Sequence, residues 1–188
     1  MPLIQLETKI RAPIERVFDL ARSIDLHRIS MENSQERAVD GRTSGLIELG
    51  ETVTWEAVHF GMRQRLTSKI TVCDRPRHLQ DVMVSGAFAG FTHDHFLSET
   101  ATGTLMKDDF DYRSPLGPLG SVADLLFLKA YMTKLLAERN AVVKRFAEGE
   151  EWKAVLLLRL GSHVSSQCCQ QFFKCDHRTG NRYVLPGT

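Results

Sequence analysis

The N-terminal part of the chain shows a strict alternation of apolar and polar residues. In LIQLETKIRA, every second residue from Ile4 to Ile10 falls on one side, and the polar residues between them fall on the other. This pattern is typical of a half-buried strand. Two short helices are predicted to follow, one beginning after Pro13 and one capped by Ser23.

Period-two patterning dominates from residue 34 to residue 112 and predicts six more strands. The segments GETVTWEAVHF and MRQRLTSKITV lie on either side of Gly61 and predict a hairpin that turns at Phe60-Gly61. With this turn, the predicted opposing pairs are His59 with Met62, Ala57 with Gln64, and Trp55 with Leu66. The face that carries these pairs is predicted to point inward, because charged residues alternate with it along the second strand.

The period changes to that of a helix after residue 114. Ser121 and Asp124 form a capping-box pattern, and the apolar positions that follow keep helical spacing as far as Phe146, before Gly149. The predicted helix is roughly 40 Å long at the usual rise per residue. The predicted class is α+β: a seven-stranded curved antiparallel sheet wrapped around a long C-terminal helix, with two short helices after the first strand. Residues 1–149 are predicted to form this domain, and residues 150–188 an extension that is partly disordered or docked.

The charge balance argues against a polyanionic partner. The chain of 188 residues has 24 Lys and Arg against 23 Asp and Glu, a formal net charge of +1. Such a balance has no strong field to steer nucleic acid, and no apolar stretch reaches the length of a membrane span. The N-terminal MPLIQLETKIRAP lacks the apolar core of a signal peptide, and the four cysteines form no spaced disulfide framework. We therefore expect a cytoplasmic protein that is a monomer or weak homodimer.

The order of the predicted elements resembles the START-like (SRPBCC) superfamily, whose helix-grip fold is that of the birch-pollen allergen and the polyketide cyclases. The segment IRAPIERVFDLARSIDLH is similar to the first strand and helix pair of that superfamily. The segment DRPRHLQDVMVSGAFAGFTHDHFLSETATGTLMKDDFDYRSPLGPLG resembles an uncharacterised branch that is often described as ligand-binding or cyclase-like. The resemblance covers about residues 3–148. It implies a deep, mostly apolar cavity between the sheet and the long helix, but it does not imply one reaction, because this fold serves many functions.

The last hairpin of the predicted sheet turns around TATG and carries most of the candidate chemistry. In one register Phe96 faces Met106, which would place Asp94 opposite Asp108, and like charges in that position are unfavourable. A shift of one residue places His93 opposite Asp108 instead, and we favour this second register. A bulge at the turn is expected to accompany it.

In the favoured register several polar side chains join apolar ones in the predicted cavity. A histidine beside an aspartate can act as a general base, and a tyrosine hydroxyl can donate to a carbonyl or enolate oxygen. The candidate catalytic residues are His93, His95, Asp108 and Tyr112. The candidate ligand-binding residues are Trp55, His59, Met62, Gln64, Phe91, Phe110, Leu125, Leu128, Met132 and Leu135. The same histidines could equally be solvated strand residues, and Asp108 and Tyr112 could equally anchor the loop that follows.

A metal site is not expected from the sequence. His93 and His95 share a strand face, and Asp108 or His59 could be a third ligand, but nothing else in the sequence enforces tetrahedral geometry. The adjacent cysteines in CCQQFFKCDH have poor spacing for zinc. No cofactor is predicted.

Three functions remain open from the sequence. The first is a carrier or sensor that binds a small hydrophobic molecule, lipid-like or polyketide-like, in the cavity. The second is a polyketide cyclase or dehydratase-like enzyme that uses the histidines, Asp108 and Tyr112. The third is an interaction protein in which the cavity has collapsed.

Overall fold

The computed structural model of the protein describes residues 2–32, 35–59, 61–114 and 127–157. Its strands are β1 (Leu3–Ile10), β2 (Arg37–Gly41), β3 (Thr52–His59), β4 (Met62–Asp74), β5 (His78–Ser85), β6 (Gly90–Thr100) and β7 (Gly103–Arg113). Its helices are α1 (Ile14–Ala21), α2 (Ile24–Ser30), α3 (Lys129–Glu148) and α4 (Trp152–Leu156).

The seven strands form one antiparallel sheet in the order β1-β7-β6-β5-β4-β3-β2. The sheet curves around α3, which packs against β1, α1 and α2. The predicted fold class is confirmed, including the two short helices after the first strand. The alternation in β1 also has its predicted consequence, because Ile4 and Ile10 are buried while the residues next to them are exposed.

The helices near the N-terminus begin where the sequence predicts. Pro13 immediately precedes α1, and the side chain of Ser23 caps α2 by accepting a hydrogen bond from the Leu26 N–H at 3.2 Å. The apolar face of α1, which includes Val17 and Phe18, is fully buried in the main hydrophobic core. These two helices therefore cover one end of the curved sheet.

The long helix ends at Gly149, as predicted, and the described part of it is 20 residues long, roughly 30 Å. The predicted helix start at Ser121 lies outside the described residues. Beyond Gly149, the short helix α4 packs against α1, with the Arg16 guanidinium 4.3 Å from the centre of the Trp152 ring. The division of the chain at residue 149 stays a prediction, because residues 158–188 are outside the described part.

The predicted β3–β4 register is confirmed. Trp55 pairs with Leu66, Ala57 with Gln64 and His59 with Met62. Gly61 has a φ of 74°, in the left-handed region that a tight hairpin turn needs. The last pair, His59 with Met62, adjoins Gly61 and thus fixes how the two strands align.

The predicted β6–β7 register was wrong by two residues. His95, not His93, lies opposite Asp108, and His93 lies opposite Phe110. The pairing continues without a bulge to Thr100 and Gly103, so a two-residue turn sets the alignment. Gly103, the first residue of β7, has a φ of 144°, and a Cβ there would come within 2.2 Å of the Ile10 carbonyl oxygen, so this position suits glycine alone.

A shift of two residues leaves each side chain on the same face of the sheet. The inward set that the sequence predicted from this hairpin is therefore unchanged. On the outer face Asp94 lies opposite Asp109, the kind of like-charge pair that the sequence argument had excluded. Polar neighbours offset the repulsion: His78 lies 2.6 Å from Asp94, and Gln5 donates a hydrogen bond to Asp109 at 3.0 Å.

Candidate functional site

A cavity of about 310 Å³ lies between the inner face of the sheet, α2 and α3. Its walls are mainly apolar and aromatic. They include Ile24, Ile47, Val53, Trp55, Ile70, Leu79, Phe88, Phe91, Phe110, Leu128, Met132, Leu135 and Leu136. A concave apolar chamber of this size with a few polar groups is the usual form of a small-molecule site.

A buried polar cluster crosses three neighbouring strands on the cavity side. Asp81 of β5 lies opposite His93 of β6, and His95 of β6 lies opposite Asp108 of β7. The rings of the two histidines are 4.0 Å apart between centroids. Side chains alternate between the two faces of a strand, so His93 and His95, which are two residues apart, lie on the same face of β6. On that face His93 meets Asp81 of β5, and His95 meets Asp108 of β7.

Asp108 is as deeply enclosed as His95, with 1% of its surface exposed. One carboxylate oxygen accepts a short hydrogen bond from His95 Nδ1, and the other accepts one from Asn140 Nδ2 at 2.5 Å. Burial alone would raise the pKa of Asp108, but attraction to the two histidines and the hydrogen bond from His95 outweigh it and hold the pKa well below its usual value. Asp108 is therefore a carboxylate that is already satisfied by its neighbours.

The hydrogen bond with Asp108 determines which ring nitrogen of His95 carries the proton. An ionised carboxylate can only accept, so Nδ1 of His95 carries the proton and Nε2 keeps a lone pair. Burial lowers the pKa of His95, so the ring is neutral at pH 7. This is the arrangement of an oriented general base.

His93 is less well satisfied than His95. Its Nδ1 lies 3.8 Å from Asp81, and its Nε2 lies 3.5 Å from Asp108, and both distances are long for a hydrogen bond. Its Nε2 is buried without a partner among the described residues. Burial lowers the pKa of His93 and raises the pKa of Asp81. The result is a polar patch on the cavity wall that has hydrogen-bonding capacity left over.

The helix α3 adds two polar residues that the sequence analysis missed. Asn140 holds Asp108, as above, and Arg139 lines the cavity with only 6% of its surface exposed. Asp81 of β5 was missed as well. The signal that could have found Asp81 is the register of β5 against β6, in which Asp81 lies opposite His93.

A second polar group lies on the α2 side of the cavity. The His27 ring stacks on Trp55 at 4.1 Å between centroids, and His27 Nε2 lies 3.1 Å from Glu36 Oε1. Trp55 is thus held between the cavity and α2. Sequence reasoning placed Trp55 in the wall but did not identify His27 or Glu36.

The structure brings most of the predicted site residues to the cavity wall. These are Trp55, Gln64, Phe91, His93, His95, Phe110, Leu128, Met132 and Leu135. The side chain of His59 and residue Leu125 lie outside the described part of the chain.

Three predicted site residues are placed elsewhere. Met62 is 61% exposed and is not among the cavity residues. Asp108 lies behind His95 and does not reach the cavity surface. Tyr112 is completely buried behind Phe88 and Phe110, with ring centroids 5.6 Å from each, so its hydroxyl is not available to a ligand in the described cavity.

The cluster contains donor atoms that could hold a metal ion. Asp81, His93 and His95 each offer one donor atom, and these atoms lie within 4.8 Å of one another. Among the described residues the third donor is thus Asp81 rather than the Asp108 considered from the sequence. The positive charge of Arg139 affects the pKa of both Asp81 and His95, so it would also repel a cation between them.

The architecture is that of the helix-grip proteins, as the sequence resemblance predicted. The protein TTHA0849 of Thermus thermophilus superposes with a TM-score of 0.60 at 20% identity, covering 76% of this chain and 97% of that one. The ginseng major latex-like protein 151 of Panax ginseng superposes with a TM-score of 0.58 at 13% identity, covering 78% and 97%. The protein Ara h 8.0201 gives 0.54 at 14% identity, covering 76% and 97%. Neither a protein-family model nor a curated protein matches the sequence. At these identities the similarity establishes the fold alone.

Among the described helices, none combines the length and the hydropathy that a membrane crossing requires.

Proposed function

We propose that the protein binds a small hydrophobic molecule in the cavity between the sheet and α3. The observation that carries the proposal is the chamber of about 310 Å³, whose walls are mainly apolar and include one buried polar cluster. Burial of an apolar ligand there would supply the binding free energy, and one or two polar contacts would orient it. A carrier or a sensor of such a molecule fits this arrangement.

The direct test is native mass spectrometry of the purified protein. A bound small molecule, released on denaturation and extractable into organic solvent, is the expected result. Fluorescence of the neutral probe N-phenyl-1-naphthylamine provides a second measurement, since its emission rises in an apolar cavity. A protein that carries no molecule and does not bind the probe would contradict the proposal.

Filling the cavity should abolish probe binding. Leu135 lies half-buried in the cavity wall on α3, and Leu135→Trp would place an indole in the space that the ligand needs. We expect the dissociation constant of N-phenyl-1-naphthylamine to rise at least about tenfold, which is about 1.4 kcal/mol. Leu49→Trp is the matched control, because Leu49 is exposed and is not among the cavity residues. Equal affinities in the two variants would show that the probe binds elsewhere.

A second candidate function is catalysis of the cyclase or dehydratase type. The observation that favours it is the His95–Asp108 pair, in which a neutral imidazole is oriented by a buried carboxylate at the cavity wall. His95 Nε2 would take a proton from a carbon beside a carbonyl group, the first step of an aldol cyclisation. Tyr112 has no part in this version, because Phe88 and Phe110 separate it from the cavity.

The enzyme hypothesis predicts a loss of turnover without a loss of binding. In a panel of polyketide-like carbonyl compounds, the wild-type protein should convert at least one member. His95→Gln should reduce that conversion at least about a hundredfold, while N-phenyl-1-naphthylamine binds within about twofold of wild type. Absence of conversion of every member would leave the binding function as the proposal. The collapsed-cavity alternative is not favoured, since the chamber is open.

A further inference from the structure

Arg139 differs from the other cavity arginine in what it contacts. The guanidinium of Arg22 is paired on both sides, with Asp19 at 2.9 Å and Glu48 at 2.6 Å. Within the described residues, no carboxylate oxygen lies within 4.0 Å of the Arg139 guanidinium, although Arg139 is the more deeply buried of the two. The cavity therefore contains a cation without a direct counterion in the described part of the chain.

The hydrogen bonds of Arg139 are also incomplete. Nη2 donates to the carbonyl oxygen of Ala21 at 2.9 Å, which fixes the guanidinium against the end of α1. Nη1 is buried and has no acceptor among the described residues. An arginine cannot lose its proton to relieve this situation, so a buried unpaired guanidinium carries a large desolvation cost. A ligand that supplied a negative oxygen would remove that cost.

The groups around Arg139 do not already supply that charge. Asp108 is negative, but His95 and Asn140 occupy both of its oxygens. Asp81 is the other acid of the cluster, and burial raises its pKa, which favours the neutral form. Glu36 is engaged with His27 on the α2 side of the cavity. The unpartnered Nε2 of His93 adds a further polar atom on the same wall.

We propose that the cavity selects an amphipathic organic acid, whose carboxylate accepts a hydrogen bond from Nη1 of Arg139 and whose apolar part lies against the aromatic wall. This inference rests on the proposed binding function and names the class of ligand. A singly charged carboxylate matches this site, because Nη1 is a guanidinium nitrogen without an acceptor among the described residues. A charge-assisted hydrogen bond in a dry cavity is stronger than a neutral one.

The test compares acids with neutral analogues of the same shape. Decanoate and decan-1-ol form a flexible pair, and 2-naphthoate and 2-naphthylmethanol form a rigid pair. Each compound displaces N-phenyl-1-naphthylamine from the wild-type protein and from Arg139→Met. In the wild type, the acid of at least one pair should bind at least about tenfold more tightly than its alcohol, as expected for a hydrogen bond to a charged group. In Arg139→Met the preference should fall to about twofold or less, while the affinity of the alcohol is kept.

Control variants separate the role of Arg139 from general effects of charge and folding. Arg145→Met makes the same change at an exposed position of the same helix and should keep the wild-type preference. Arg139→Gln retains a donor for the Ala21 carbonyl and replaces Arg139→Met if that variant does not fold, as judged by circular dichroism. Arg139→Lys keeps the charge and should retain part of the preference.

The outcomes distinguish this inference from the proposed function. If the wild type binds the probe but prefers the acid in neither pair, the selection of acids is overturned and hydrophobic binding stands. A preference that survives in Arg139→Met or Arg139→Gln likewise overturns it. If the wild type does not bind the probe at all, both proposals fail.

Discussion

Replacing Asp108 with alanine is expected to lower the free energy of unfolding by about 3 to 5 kcal/mol, the usual cost of removing one partner from a buried charged network. The carboxylate is 1% exposed and accepts hydrogen bonds from His95 and Asn140. Without it, two buried donors on different elements would have no acceptor. Urea unfolding followed by circular dichroism measures the change.

Asp109→Ala is the matched control for this prediction. Asp109 is the next residue on the same strand, but it points to the outer face, where it accepts an exposed hydrogen bond from Gln5. Its removal should change the free energy of unfolding by less than about 1 kcal/mol. If both variants lost the same stability, the network around Asp108 would not be what stabilises this part of the sheet.

Lowering the pH from about 7.5 to about 5.5 is expected to destabilise the protein. Burial lowers the pKa of His93 and His95 in the folded state below the ordinary value of 6.5. Below that value the unfolded chain therefore binds protons that the folded chain does not, so stability falls as the pH falls. Each histidine lowers the free energy of unfolding by at most about 1.4 kcal/mol for each pH unit that the pH falls in this window.

Asp81 acts in the opposite direction. Its pKa is raised in the folded state, so it contributes stability below the ordinary aspartate value that is lost as the pH rises. Two histidines oppose one aspartate, and the net slope should still favour neutral pH. Urea titrations at several pH values measure it, and His93→Gln or His95→Gln should each flatten the curve. A wild-type stability that is constant across this pH range would contradict the assignment of neutral buried histidines.

The predictions that depended on a local rule agree with the structure. Alternation identified the inner face of β1, and the short turn that contains Gly61 determined the pairing of Trp55 with Leu66. Both signals act over a few residues, so the sequence contains all the information that they need. In the β6–β7 hairpin Gly103 pairs with Thr100 and lies outside the turn, so the rule that worked for Gly61 would not have given this register. The prediction relied instead on which side chains prefer to face each other.

That preference was misleading because cross-strand pairs are only part of the environment of a residue. Asp94 lies opposite Asp109, but His78 from β5 and Gln5 from β1 compensate the repulsion from either side. Those neighbours come from strands that are distant in the sequence. A two-strand argument could not include them.

By itself, the chain's pattern of apolar and polar positions determined the elements, the fold class, and which strand faces look inward. Only the tertiary structure decided which polar side chains meet inside. Residue 139 keeps the helical spacing of Leu135 and Val142, so periodicity places Arg139 on the inner face of α3. Only the packed elements show that its Nη1 lacks an acceptor among the described residues and that Asn140 meets Asp108. The physical reason is that periodicity reports the average burial of a face. The partners of one buried polar group depend on how separate elements pack, and no local pattern encodes that.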